Sequence, residues 1–222
     1  MVDWHAKYQC SYGYWTVSEA CLKLPEKTTF GIRTKTDYQW PLPNVWHGLT
    51  VCNQDEADEK IPIFLQVPGK KFLSIEPMLS NINLGANLLQ LFPIDDPNPK
   101  RTDNISAVIL GGETGPGARP LHPDWVRSVR DQCAAAGVPF FFKGWGEWIA
   151  PTELNEDMKG CNPKDASIGP DRIRWLGKDG AERRIGEGLR QDGDQIIVRV
   201  GKKTAGRLLD GRTHDDLPWV AK

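Results

Sequence analysis

The sequence lacks a long apolar run and an excess of charge of one sign. No apolar stretch approaches the roughly 20 residues that a membrane-spanning helix needs, and residues 1–14 contain nothing typical of a secretory signal. We therefore expect a cytoplasmic protein that does not bind membranes. The 28 basic and 29 acidic residues give a formal net charge of −1, so nucleic acid binding would require a local basic patch.

Metal-binding and redox motifs are also absent from the sequence. The five cysteines, at positions 10, 21, 52, 133 and 161, include no CxxC pair, which argues against a zinc ribbon or a thioredoxin-like site. No group of histidine, aspartate and glutamate has metal-ligand spacing, and neither a GxSxG motif nor a P-loop occurs. We therefore expect free thiols and no metal site on this chain.

Strand and helix patterns alternate along the middle of the chain, which predicts a parallel sheet with right-handed crossovers. The fold class expected is α/β, a partial (β/α) barrel of about four parallel strands with flanking helices and a hairpin-like C-terminal appendage. Four strands cannot close a barrel, so we expect two unpaired sheet edges. The predicted strands are Val45–Cys52, Phe72–Glu76, Ile105–Leu110 and Val138–Phe142, and the predicted helices are Gln54–Gln66, capped by Asn53 and Glu56, and a second that starts at Pro123.

The chain is expected to contain three segments. Residues 1–38 form an atypical N-terminal segment without a clear period, and residues 39–149 form the half-barrel domain. Residues 150–222 form the appendage, in which Gln195–Val200 is the clearest strand.

Each predicted parallel strand is followed by a polar residue. In parallel α/β folds, ligands bind where strands end and loops lead into helices. Asn53, Glu76, Glu113 and Lys143 occupy these positions, so we expect them to share one mouth. Glu76 is either an acid/base or ligand-binding carboxylate, or a structural acceptor of backbone N–H bonds. Lys143 binds an anion, acts as a base, or pairs with Glu113.

The glycine-rich segment GGETGPGARP, residues 111–120, is a second candidate binding element. Gly111 and Gly112 allow close approach of the backbone to a ligand, and backbone amides here could bind a carboxylate or phosphate. Arg119 could clamp an anion; the alternative is that it pairs with Glu113 or Glu76. The nearby Trp145 either stacks on a flat ligand or closes the core.

Several segments together resemble the phage and prophage family known as gene-product thirty-seven/sixty-eight, a domain of unknown function. The resemblance covers about residues 39–218, and residues 1–38 show no match. The segments that carry it are WPLPNVWHGLTVCN (40–53), FLSIEP (72–77), VILGGETGPGARP (108–120), PFFFKGWGEW (139–148) and GRLLDGRTHDDLP (206–218).

The resemblance implies a radical S-adenosylmethionine-like enzyme with a barrel fold. Full-length relatives would bind S-adenosylmethionine and a [4Fe–4S] cluster held by three cysteines, a motif missing from this chain, on which we expect no cofactor. It also implies that Glu76, Glu113 and Lys143 line the barrel mouth with Gly111, Gly112, Arg119 and Trp145. This chain has Gly144 where the family has glutamine.

The function expected is therefore that of the C-terminal portion of such an enzyme, inactive alone. The alternative is a non-catalytic phage module that binds a small anionic ligand or a partner protein. The expected partner is a second copy of the chain or a separately encoded N-terminal half. A nucleotide or nucleic acid is a candidate substrate, although the net charge gives it no support.

Overall fold

A computed structural model describes residues 7–10, 13–16, 41–42, 44–85, 104–154, 169–184 and 191–219. The chain divides into two compact units, residues 1–45 and residues 46–222. In the first unit, β1 (Lys7–Cys10) and β2 (Gly13–Thr16) form an antiparallel hairpin. In the described ranges, no helix combines the length and the apolar character needed to cross a membrane.

The second unit is built on a four-stranded parallel sheet. The strands lie side by side in chain order, and each neighbouring pair is parallel. This confirms the predicted α/β arrangement with four parallel strands, whereas the barrel itself stays a prediction. The strands are β3 (Trp46–Thr50), β4 (Lys70–Ile75), β5 (Ile105–Gly111) and β6 (Phe140–Gly144).

Helix α1 (Gln54–Leu65) follows β3 directly. As predicted, the side chain of Asn53 caps it, accepting a hydrogen bond from the Glu56 amide at 2.9 Å. The prediction also had the Glu56 side chain accept a hydrogen bond from the backbone amide of Asn53. In the structure the Glu56 carboxylate instead accepts from the amide of the preceding residue, Cys52, at 3.1 Å.

Helix α2 (Pro123–Ala135) begins after His122, whose Nδ1 accepts a hydrogen bond from the Asp124 amide at 3.1 Å. Gly137, with φ of +66°, follows the helix in the left-handed conformation that glycine favours. The buried side chains of α2 pack, together with the buried side chains of α1, against the apolar face of the parallel sheet. The core residues include Ala57, Ile61, Leu65, Leu73, Ile75, Val108, Leu110, Val126, Val129 and Cys133.

A four-stranded antiparallel sheet occupies the C-terminal region, in the order β7-β10-β8-β9. The predicted strand at 195–200 is confirmed as β10. The other strands escaped prediction because they are two to four residues long, and β9 is entirely charged (ERR). The strands are β7 (Trp148–Ile149), β8 (Ile173–Leu176), β9 (Glu182–Arg184) and β10 (Gln195–Arg199).

The chain then returns to the parallel sheet through the short helix α3 (Lys202–Ala205) and residues 206–219, which we call the strap. The amide of Phe142 donates to the carbonyl of His214 at 3.0 Å, and Phe141 forms an antiparallel bridge with Asp215. The strap therefore covers part of the β6 edge. The prediction that both sheet edges are unpaired is wrong at this edge, because the appendage supplies backbone partners.

Candidate functional site

A cleft of about 730 Å³ opens at the carboxyl ends of β4, β5 and β6. The registers Ile75 with Leu110 and Leu110 with Phe142 bring these three ends level. The strap and α3 form the remaining wall. The lining residues are Glu76, Pro77, Gly111, Gly112, Glu113, Thr114, Lys143, Gly144, Gly146, Lys202, Lys203, Gly206 and Arg207.

Glu76 and Lys143 form an ion pair at the floor of the cleft. The Lys143 Nζ lies 3.1 Å from Glu76 Oε1 and 3.2 Å from Oε2. Glu76 directly follows β4 and Lys143 lies near the end of β6, and β5 separates these two strands, so the pair must cross Gly111. A Cβ at Gly111 would lie 3.0 Å from Glu76 Oε1, so the missing side chain leaves room for the pair. The alternative that Lys143 pairs with Glu113 is wrong.

Glu113 instead binds Arg119 in a two-pronged ion pair. Arg119 Nε and Nη2 donate to the Glu113 carboxylate at 2.8 and 2.9 Å, and the Arg119 amide donates to it at 2.8 Å. The hydrogen bonds from Arg119 hold the pKa of Glu113 below its ordinary value, and the same pair raises the pKa of Arg119. This is the pairing predicted as the alternative to an anion clamp.

The glycine-rich loop is fixed from outside by the antiparallel sheet. Arg199 of β10 donates to the carbonyls of Gly115 and Pro116 at 2.9 and 2.7 Å. The indole of Trp148 donates to the Ala118 carbonyl at 2.7 Å. Because its carbonyls are held in this way, the loop is a preorganised wall of the cleft.

Two glycines allow the backbone to cross itself beside the cleft. A Cβ at Gly112 would overlap the carbonyl of Trp145, and one at Gly146, where φ is +81°, would overlap the carbonyl of Glu113. Gly144 has φ of +145°, and a Cβ there would lie 2.7 Å from the Gly206 oxygen. The glutamine that the resemblance leads one to expect at this position would therefore collide with the strap as it lies here.

Three predicted binding residues do not line the cleft. Asn53 caps α1, and Arg119 is engaged by Glu113. Trp145 is 1% exposed, packs edge-on against Phe142, and donates its indole hydrogen to the Leu208 carbonyl at 2.7 Å. Of its two interpretations, the geometry favours the core, because a buried ring has no free face for a ligand.

Sequence reasoning missed three cationic residues of the cleft. Arg207 is paired with Asp215, and its guanidinium lies 4.8 Å from the centre of the Phe141 ring. Lys202 and Lys203 are exposed and, within the described part of the chain, have no ion-pair partner. The sequence feature that could have indicated these residues is the segment GRLLDGRTHDDLP, which carried part of the resemblance and begins three residues after Lys203.

The described side chains do not fit an iron–sulfur cluster. They include two cysteines, Cys52 and Cys133. Burial raises the pKa of Cys133 to about 12, which disfavours the thiolate that a cluster requires. Among the residues that the structure describes, no group of three or more cysteine, histidine or acidic side chains is arranged to hold a metal ion. Cys21 and Cys161 lie outside the described residues, and the side chain of Cys10 is not described.

Residues 14–218 match the model of a family described as "Protein of unknown function (DUF5131)". The chain belongs to the DUF5131 family. No curated protein and no solved structure matches it. The DUF5131 match begins at residue 14 and so includes part of the N-terminal segment 1–38, whose separate standing stays a prediction. The phage origin and the radical S-adenosylmethionine relationship stay predictions from the resemblance.

Proposed function

We propose that this chain is the ligand-binding portion of a barrel-type enzyme and that its cleft binds a small anionic molecule. The observation that carries the proposal is the excess of cationic groups around one cleft. Four cationic side chains, Lys143, Lys202, Lys203 and Arg207, line it with two carboxylates, Glu76 and Glu113.

The ion pairs leave this excess unchanged. Glu76 is paired with Lys143, Glu113 with Arg119 and Arg207 with Asp215, and Arg119 and Asp215 stand outside the lining. Lys202 and Lys203 therefore supply the charge that an anion would meet, and ammonium groups bind phosphate or carboxylate through charge-assisted hydrogen bonds. The volume of about 730 Å³ lies within the range of small-molecule sites.

In this proposal the Glu76–Lys143 pair is the candidate acid/base element. Lys143 is 58% exposed in its side chain and Glu76 is 22% exposed, so Lys143 can reach a ligand while Glu76 holds its position. The Ser74 hydroxyl lies 3.3 Å from the Glu76 carboxylate and supports it. A radical S-adenosylmethionine-like reaction stays an expectation from the resemblance, and no step of it is assigned to these residues.

Isothermal titration with inorganic phosphate, adenosine monophosphate and S-adenosylmethionine tests the proposal. We expect at least one probe to bind, and the double variant Lys202→Ala/Lys203→Ala to weaken it about tenfold or more, since a hydrogen bond to a charged group contributes roughly 1.5–3 kcal/mol. Lys60→Ala/Lys178→Ala removes two lysines that do not line the cleft and should leave binding unchanged. Failure of all three probes, or equal loss in both double variants, would overturn the proposal.

The S-adenosylmethionine arm also tests the resemblance. Binding of this compound without iron, abolished by Glu113→Ala, would favour a retained cofactor site. Binding of phosphate or the nucleotide alone would favour the simpler module that binds an anion.

A further inference from the structure

The buried Trp145 forms two hydrogen bonds to the strap, one on each side of Arg207. Its backbone amide donates to the Gly206 carbonyl at 3.2 Å, and its indole Nε1 donates to the Leu208 carbonyl at 2.7 Å. Gly206 and Leu208 are the sequence neighbours of Arg207. A single residue at the end of the parallel sheet therefore fixes the backbone from which the Arg207 side chain extends.

Trp145 can fix the strap because it is itself held by the core. Its ring is 1% exposed and lies edge-on against Phe142, with the ring centres 4.9 Å apart. A packed ring of this size cannot shift without opening a cavity beside it. The approach of the strap also depends on Gly144, since a Cβ there would lie 2.7 Å from the Gly206 oxygen that accepts from the Trp145 amide.

Arg207 offers directed hydrogen-bond donors to a ligand in the cleft. Its side chain is 38% exposed, lines the cleft, and has its guanidinium 4.8 Å from the centre of the Phe141 ring. The Nη2 group donates to Asp215 and, at 3.4 Å, to the Phe142 carbonyl. None of the hydrogen bonds among the described residues uses Nη1. Because Asp215 balances its charge, Arg207 contributes donor geometry rather than net charge, and that geometry depends on where its backbone lies.

A second buried tryptophan makes the same kind of bond away from the cleft. Trp125 of α2 is 3% exposed, and its indole donates to the Lys178 carbonyl at 2.9 Å. Neither Trp125 nor Lys178 lines the cleft. The two tryptophans therefore match in burial and in the type of bond, but only Trp145 holds a segment that carries a cleft residue.

We propose that Trp145 is a positioning residue of the cleft. Its two N–H groups fix the strap on both sides of Arg207 and so hold the guanidinium where an anion binds, while the ring itself touches no ligand. This inference rests on the proposed function, because it explains how one cationic side chain of that site is placed.

Isothermal titration with inorganic phosphate and adenosine monophosphate compares two matched variants. Trp145→Phe keeps a ring against Phe142 but leaves Leu208 without its donor, and we expect affinity to fall about threefold to tenfold. Trp125→Phe removes the same donor elsewhere and should leave affinity unchanged. Urea denaturation identifies a temperature at which every variant is fully folded. Equal losses of affinity in both variants, or no loss in Trp145→Phe, would overturn the inference.

A double-mutant cycle shows whether Trp145 acts through Arg207, which a merely structural role would not require. Arg207→Met alone should weaken binding about tenfold. In that background, Trp145→Phe should cause no further loss, because no guanidinium is left to position. Fully additive losses would mean that Trp145 influences the site by another route, which contradicts the proposal.

Two further arms keep the result decisive. Trp145→3-benzothienylalanine preserves the shape of the indole and removes only its N–H donor, so it replaces Trp145→Phe if that variant does not fold. The variant Lys202→Ala/Lys203→Ala tests the proposed function separately. If binding depends on these lysines but not on Arg207 or Trp145, the proposed function stands and this inference is wrong. If the unaltered chain binds neither probe, both are wrong.

Discussion

The two sheets of the larger unit hold their charged side chains in different ways. The parallel sheet brings two of them together at the carboxyl ends of its strands, where Glu76 and Lys143 meet across Gly111. The antiparallel sheet places them within its strands, where Arg174 and Arg184 are opposite each other. The first arrangement gathers charges at one mouth, and the second spreads them over a face.

Gly146 passes close to the Glu113 carbonyl between β6 and β7, and a substitution there gives the largest expected effect. Gly146→Val would force a side chain onto the Glu113 carbonyl at a φ of +81°. We expect a loss of roughly 3–5 kcal/mol in the free energy of unfolding, measured by urea denaturation. Gly117→Ala, in the loop that carries Glu113 but with open space around its Cβ, should lose less than about 1 kcal/mol. Similar losses in both would show that the crossing is not a tight junction.

A buried ion pair joins the helix side of the parallel sheet to the strap. The Glu153 side chain is 2% exposed, pairs with Arg127 of α2, and accepts from the Asp210 amide at 2.9 Å. Glu153→Gln leaves Arg127 with only its outer partners Asp124 and Asp210, so we expect a loss of roughly 1–3 kcal/mol by thermal and urea denaturation. Asp131→Asn, at the exposed partner of Arg130, should lose less than about 1 kcal/mol. Equal effects would contradict the structural role given to Glu153.

Two histidines make stability fall in acid, one at the start of α2 and one in the strap. Burial lowers the pKa of His122, at the start of α2, and of His214, in the strap, below the ordinary 6.5. The unfolded chain therefore binds protons first. Their contribution to stability is complete above about pH 6.5 and is lost as the pH falls from there through the folded-state pKa.

Urea midpoints measured between pH 7.5 and 5 should show this fall. His122→Asn keeps an acceptor for the Asp124 amide without a titrating ring, so it should flatten the profile. His214→Asn tests the strap separately. A wild-type midpoint independent of pH in this range would contradict the burial of both rings.

The smallest expected effect on stability is that of Lys143→Met. The Lys143 side chain of the ion pair with Glu76 is exposed to solvent. Exposed ion pairs contribute about 0–1 kcal/mol to the free energy of unfolding. The thermal midpoint should therefore move little, while anion binding in the cleft weakens. A large loss of stability would mean that the pair is structural rather than part of the site.

The parallel half could be predicted because its signals are local. Apolar runs mark β5 and β6, and the glycines and polar residues after them mark the mouth. Which acidic residue each basic residue pairs with could not be predicted. Lys143 reaches Glu76 because Gly111, which has no side chain, lies between them in the strand register. Charged or very short strands such as β9 carry no apolar alternation, so their pairing depends on tertiary contacts.

Arg207 follows all four parallel strands in the sequence, which has a consequence for biosynthesis. Strands β3 to β6 leave the ribosome well before the strap that completes the cleft. A nascent chain can thus form its parallel sheet while the wall carrying Lys202, Lys203 and Arg207 is still unmade. The anion site that we propose is therefore complete only after residues 202–207 have emerged, and a chain truncated before residue 202 would have a sheet with an unpaired β6 edge and an open cleft.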